Sequence, residues 1–94
     1  MYKECFDIIA SKLDEDSLFR LGVKLNLPYK DVNEIIDCGN KTYRKVFQIL
    51  TLWRDQFGQQ ADLNQIVEIL KDMKKTAIAD KIDTKLHSSL SYLN

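Results

Sequence analysis

The chain has 94 residues, 45% of them apolar and 30% charged, and its 14 basic and 14 acidic side chains leave no net charge. That composition fits one domain with a real core and excludes a chain disordered throughout. No apolar run approaches the ~18 residues of a membrane span, and the segment Met1–Asp7, with its acidic residues, is unlike a signal peptide.

Tyr2, Cys5, Phe6, Ile9 and Leu13 recur at helical spacing and predict a first helix with one apolar face. It closes at Asp14-Glu15-Asp16, and Asp16 or Ser17 caps a second helix carrying Leu18, Leu21 and Leu25. Gly22 lies inside that helix at a cost of about 1 kcal/mol against alanine, which implies close approach of a neighbouring helix. Asn26-Leu27-Pro28 stops it, because proline disfavours the α region at the residue before it. A short third helix carries Val32, Ile35 and Ile36 and ends at Cys38-Gly39-Asn40.

The fourth helix is the longest, with a buried stripe of Tyr43, Val46, Phe47, Leu50, Trp53 and Phe57, and Gly58 closes it. Asp62 opens a fifth helix with Leu63, Ile66, Val67, Leu70 and Met73 inward. A sixth carries Ile78, Ala79, Ile82 and Leu86, and the serine-rich residues 87–94 form a frayed tail or a helix extension beyond a domain of residues 1–86. There is no alternating strand pattern, no hairpin turn and no repeat. Short connections predict an all-α, six-helix antiparallel bundle. Its core is expected to hold Leu21, Ile35, Leu50, Trp53, Ile66, Leu70, Ala79 and Ile82.

Residues able to do chemistry are sparse. The one histidine, His87, stands in the tail, where a general base would find no positioned partner. Cys5 and Cys38 lack C-x-x-C spacing and read as reduced thiols of a cytosolic domain. None of the three glycines belongs to a phosphate-binding motif. Asp14-Glu15-Asp16 lacks the pattern of a calcium loop and reads as a solvated loop with a capping aspartate. No catalysis, cofactor or metal is expected. Lys71, Lys74, Lys75, Lys81 and Lys85 form a basic run, which raises the alternative of a small helical nucleic-acid-binding domain. The neutral net charge argues against it, and lysines near a helix C-terminus also complement the helix dipole.

The zero net charge hides a polarity. Residues 1–39 hold eight acidic and five basic side chains, and residues 40–94 hold six acidic and nine basic ones. Asp31, Glu34 and Asp37 share much of one face of the third helix. Lys41, Arg44, Lys45 and Arg54 lie on or just before the fourth.

Leu18 to Leu27 (L-F-R-L-G-V-K-L-N-L), followed by Val32 to Ile36 (V-N-E-I-I), resembles the second and third helices of death domains. The spacing L-x-x-W-x-x-x-x-G-x-x-A, met by Leu50, Trp53, Gly58 and Ala61, continues the likeness, as do Val67 and Leu70, then Ala79 and Ile82. Ile69 departs from a common alanine, and Lys74 from a glycine that commonly ends the fifth helix. The resemblance spans about Tyr2 to Leu86 and implies a Greek-key death fold. It further implies a non-catalytic module that assembles with other death-fold domains, itself or others, in apoptotic or inflammatory signalling. The module is expected to be cytoplasmic, alone or as the intracellular part of a larger protein. Death-fold domains assemble through asymmetric surfaces rich in charge, so the acidic third-helix face and the basic fourth-helix face are expected to be opposite sides of one head-to-tail contact.

Overall fold

The apolar periodicity resolves into six α-helices in a computed structural model that describes the backbone of residues 1–93 and the side chains of residues 1–87. They are α1 (Tyr2–Lys12), α2 (Leu18–Lys24), α3 (Tyr29–Ile36), α4 (Thr42–Phe57), α5 (Leu63–Asp72) and α6 (Thr76–Leu93). Short 3₁₀ turns at Glu15–Ser17 and Gly58–Gln60 lead into α2 and out of α4. There is no strand among the described residues. The helices form an antiparallel bundle of Greek-key type in which α1 packs on α4 and α6, α5 on α6, and α2 on α3. The sixth helix runs past His87, so residues 87–93 continue α6, while Asn94 lies outside the described residues.

The core is continuous across all six helices. Phe6, Ile9, Leu18, Leu21, Val32, Ile49, Leu50, Ile66, Leu70 and Ile82 are among its fully buried side chains, with Ala79 also enclosed. Trp53 is 2% exposed. Its ring meets Tyr2 edge-on at 6.5 Å and Phe6 at 6.4 Å, and Phe6 in turn meets Phe47 edge-on at 5.9 Å. Such offset aromatic pairs add to what area burial alone supplies. They make the α1–α4 contact a seam of rings, closed at one end by the Tyr2 hydroxyl donating to the Ala61 carbonyl.

Not every expected inward position is buried: Phe47 and Phe57 of the α4 stripe are half-buried against the core. Ile35 is half-buried and packs only on the core's margin. Tyr43 is 44% exposed, its hydroxyl donating to Asp7 on the surface of α1 rather than entering the apolar interior. Ile49 takes an inward position that the sequence stripe omitted.

Backbone punctuation follows sterics. A Cβ built on Gly22 would lie 2.6 and 2.8 Å from the two methyl carbons of buried Val32, so α2 and α3 approach as closely as the glycine implies. Gly58 closes α4 at φ 54°. The ends of α2 and α5 turn instead on Asn26 and Lys74, both at φ 62°. Each is followed by the paired bonds of a Schellman cap: Leu27 N–H to Gly22 and Asn26 N–H to Val23, then Lys75 N–H to Leu70 and Lys74 N–H to Lys71. Lys74 therefore does the backbone work of the glycine common at this position in death domains, at the steric cost of a left-handed non-glycine residue.

Three stability changes follow. Trp53→Ala should cost about 3–5 kcal/mol in a urea melt. Gly22→Ala should cost about 1–3 kcal/mol by overpacking, and Val32→Ala in the same chain should recover part of it, a coupling that a double-mutant cycle reads directly. Lys74→Gly should stabilise by roughly 0.5–1 kcal/mol, the relief of left-handed strain exceeding the added flexibility of the unfolded chain.

Candidate functional site

The charged side chains separate into those engaged within the fold and those facing outward. Asp14 accepts from Lys75 at 2.8 Å and from the Ser17 hydroxyl at 2.8 Å. Glu15 accepts from Thr42 at 2.7 Å and from Lys45 at 3.1 Å. The acidic loop after α1 is thus no freely solvated cap. It ties α1 to the start of α4 and to the α5–α6 connection. Ser17 holds the N-cap position of α2, but its hydroxyl turns back to Asp14 and makes no cap bond. Lys24 pairs with Asp72 at 3.0 Å and Lys85 with Glu4 at 2.9 Å.

These pairings sort the expected basic face. Lys45, with a side chain only 12% exposed, is committed to Glu15. The Arg54 guanidinium lies 5.9 Å from the Phe6 ring centroid and 3.8 Å from Asp55, so it covers the aromatic seam. Lys41 and Arg44 are exposed, with no ion pair among the described residues, and so are Glu34 and Asp37; Asp31 is half-buried and equally without an ion pair there.

Asp31 and Glu34 on α3 border the same open groove as Arg44 on α4, about 1150 Å³ in volume, with Lys3 of α1 also on its rim. Half-buried Ile35, Phe47 and Leu52 contribute apolar surface to it. Asp37 and Lys41 flank the α3–α4 connection outside this groove. Of the residues expected on opposite sides of a contact, Asp31, Glu34 and Arg44 therefore line one concave surface, and the other four do not. Sequence spacing missed Leu52. Its signal was a large apolar residue two places from Leu50, off the buried stripe of α4.

The basic run is largely neutralised: Lys75 by Asp14, Lys85 by Glu4, and Lys71 at 3.9 Å from Glu68. Lys74 and Lys81 remain exposed without a carboxylate partner among the described residues. Cys5 is buried and Cys38 exposed, both free, and burial pushes the Cys5 thiol up. Among the described residues no cluster of three or more histidine, cysteine or carboxylate side chains could hold a metal ion, and no helix is long and apolar enough to cross a membrane.

A protein-family model described as the Death domain matches residues 3–86. No curated protein and no solved structure matches the chain.

The Asp14 latch gives a pH signature. Hydrogen bonds from Lys75 and Ser17 hold its carboxyl at about 2, below the ordinary 3.8. A depressed carboxylate pKa contributes stability that is present above the unfolded value and is lost as pH falls through the folded one. Urea midpoints should thus fall between about pH 4 and about pH 2, and Asp14→Asn should flatten that part of the profile. Because the carboxylate is largely solvated, added salt should shrink the difference.

Proposed function

Since the chain belongs to the death-domain family, whose members are generally protein–protein interaction modules, we propose that it works without catalysis. In this reading it assembles with other death-fold domains, its own copies or different ones, in apoptotic or inflammatory-type signalling in the cytoplasm. The recognition surface is the α3–α4 groove and its surroundings: Asp31, Glu34 and Asp37 as the acidic part, Lys41 and Arg44 as the basic part. Lys45 and Arg54, already engaged inside the fold, play the lesser role of holding α4 in place.

One observation carries this reading. The charges at Asp31, Glu34 and Arg44 converge on an apolar-floored groove and make no ion pair among the described residues, while Asp14, Glu15, Lys45, Lys75 and Lys85 are paired within the domain. Unpaired charges around a concave apolar surface steer and select a partner more than they stabilise the fold. The basic run supports a nucleic-acid partner poorly, since three of its five lysines have carboxylates against them and phosphate binding depends on a free basic surface.

Asp31→Lys with Glu34→Lys should abolish self-assembly in light scattering and capture of death-fold partners in pull-downs, while the thermal melt stays near wild type. Unchanged assembly and capture would remove the acidic α3 face from the interface. Binding to duplex DNA that falls steeply with salt would replace the protein-partner reading with the nucleic-acid one.

A further inference from the structure

The groove between α3 and α4 has a form that its rim charges alone do not explain. Asp31, Glu34 and Cys38 line it on the α3 side, and Arg44, Gln48, Leu52 and Asp55 on the α4 side. Both rows step at three or four residues, so each wall follows one helix face. At about 1.5 Å per residue, the α4 wall from Arg44 to Asp55 is about 16 Å long, roughly three helical turns. Half-buried Ile35, Phe47 and Leu52 keep part of their apolar surface open to it. A groove three turns long with apolar residues along it has the dimensions of a seat for one α-helix.

Charge is ordered along this seat. Arg44 stands at the end nearest the α3–α4 connection, where the Cys38 thiol and the Gln48 amide oxygen lie 3.9 Å apart. Asp31 lies about two turns back along α3 from Cys38, and neither it nor Glu34 makes an ion pair among the described residues. Asp55, at the far end of the α4 wall, meets only Arg54 among the described residues, at 3.8 Å. Lys3 adds one cation from α1. The seat is thus basic at one end and mainly acidic beyond it.

A second copy cannot furnish that helix. Among the described residues the exposed large apolar side chains are Met1, Phe19, Tyr29 and Tyr43. Met1 precedes α1, and the other three fall one each on α2, α3 and α4, so no described helix face presents a free apolar stripe. We infer that the groove receives one amphipathic helix of a different protein, about three turns long. Its apolar stripe covers Ile35, Phe47 and Leu52, its acidic N-terminal turn faces Arg44, and its basic residues face Asp31 and Glu34. Acid at the start of a helix and base toward its end also suit the helix dipole. A segment with such a stripe has no fold of its own to bury it and orders as it binds. The inference rests on the interaction-module reading and names a partner for the apolar floor, which a charge contact at the rim leaves uncovered.

The probe is a stapled, fluorescein-labelled helix of about three turns, with leucines on one face, glutamates in its first turn and lysines toward its C-terminus. Fluorescence anisotropy should show saturable binding to the full chain. A second probe with serines in place of the leucines, and a third with the glutamates and lysines exchanged, should each bind roughly tenfold or more weakly. The first probe should lose as much on Asp31→Lys with Glu34→Lys, and on Gln48→Arg, which sets a long charged side chain in the groove at an exposed lining position. Phe19→Ala with Tyr29→Ala, outside the groove, should bind it as wild type does. Circular-dichroism melts close to wild type confirm that each variant folds. No saturable binding, equal binding of either control probe, or binding that both groove variants leave unchanged overturns the inference. Wild-type self-association that Gln48→Arg abolishes and the probe leaves untouched assigns the groove to a second copy and overturns it as well. The interaction-module reading survives any of these failures if wild type captures folded death-fold domains and Asp31→Lys with Glu34→Lys does not; it falls too if that capture is absent.

Discussion

The packing of α1 against α4 is the constraint from which the rest of the molecule follows. Phe6, Trp53, Phe47 and Tyr2 interlock along that seam. Once Val46, Ile49, Leu50 and Trp53 face inward, the rotation of α4 about its axis is set. An interior packed as densely as an organic crystal tolerates little slippage. The rotation then decides what each polar residue of α4 can do. Arg44 turns to the groove, Lys45 falls beside Glu15, and Arg54 lies over the Phe6 ring. Three basic residues of one helix thus acquire three different environments from a single apolar fit.

The second constraint is the close approach of α2 and α3. Gly22 lets Val32 seat against the α2 backbone, which brings α3 in as a short, tightly held helix. That seating exposes both flanks of α3 at once. One presents Tyr29 beside Phe19, and the other presents Asp31 and Glu34 to the groove. Ion pairs from the acidic loop after α1 and from Lys75 brace the far side. With their carboxylates about half exposed, they hold geometry more than they add stability.

Much of this was legible in the chain. Helix number, order and most boundaries followed from apolar spacing, from Pro28 and Gly58, and from the capping Asp62, whose carboxylate accepts from the Asn64 N–H. The close approach at Gly22 could be anticipated because a mid-helix glycine has a cost that packing must repay. Tyr43 and Ile35 were misplaced because helical periodicity gives the direction of a side chain and not how deeply the packed helices enclose it. Lys74 looked like a departure that blurred the end of α5. The backbone hydrogen bonds of a Schellman cap are made by any residue able to reach the left-handed region, so that end is well defined.

The amino-acid sequence by itself determined the fold: which faces are apolar, where helices stop, and the spacing of Leu50, Trp53, Gly58 and Ala61 shared with death domains. Those properties are local or periodic, and a linear pattern records them in full. Tertiary structure alone decided which charges are available. Glu15 and Lys45 are 30 positions apart and Asp14 and Lys75 are 61 apart, and no pattern along the chain pairs them. Asp31 and Glu34 on α3 and Arg44 on α4, separate in sequence, come to line the same groove because packing sets the two helices side by side. Charge acts through space and across solvent, so its role is fixed only when the fold has placed every partner.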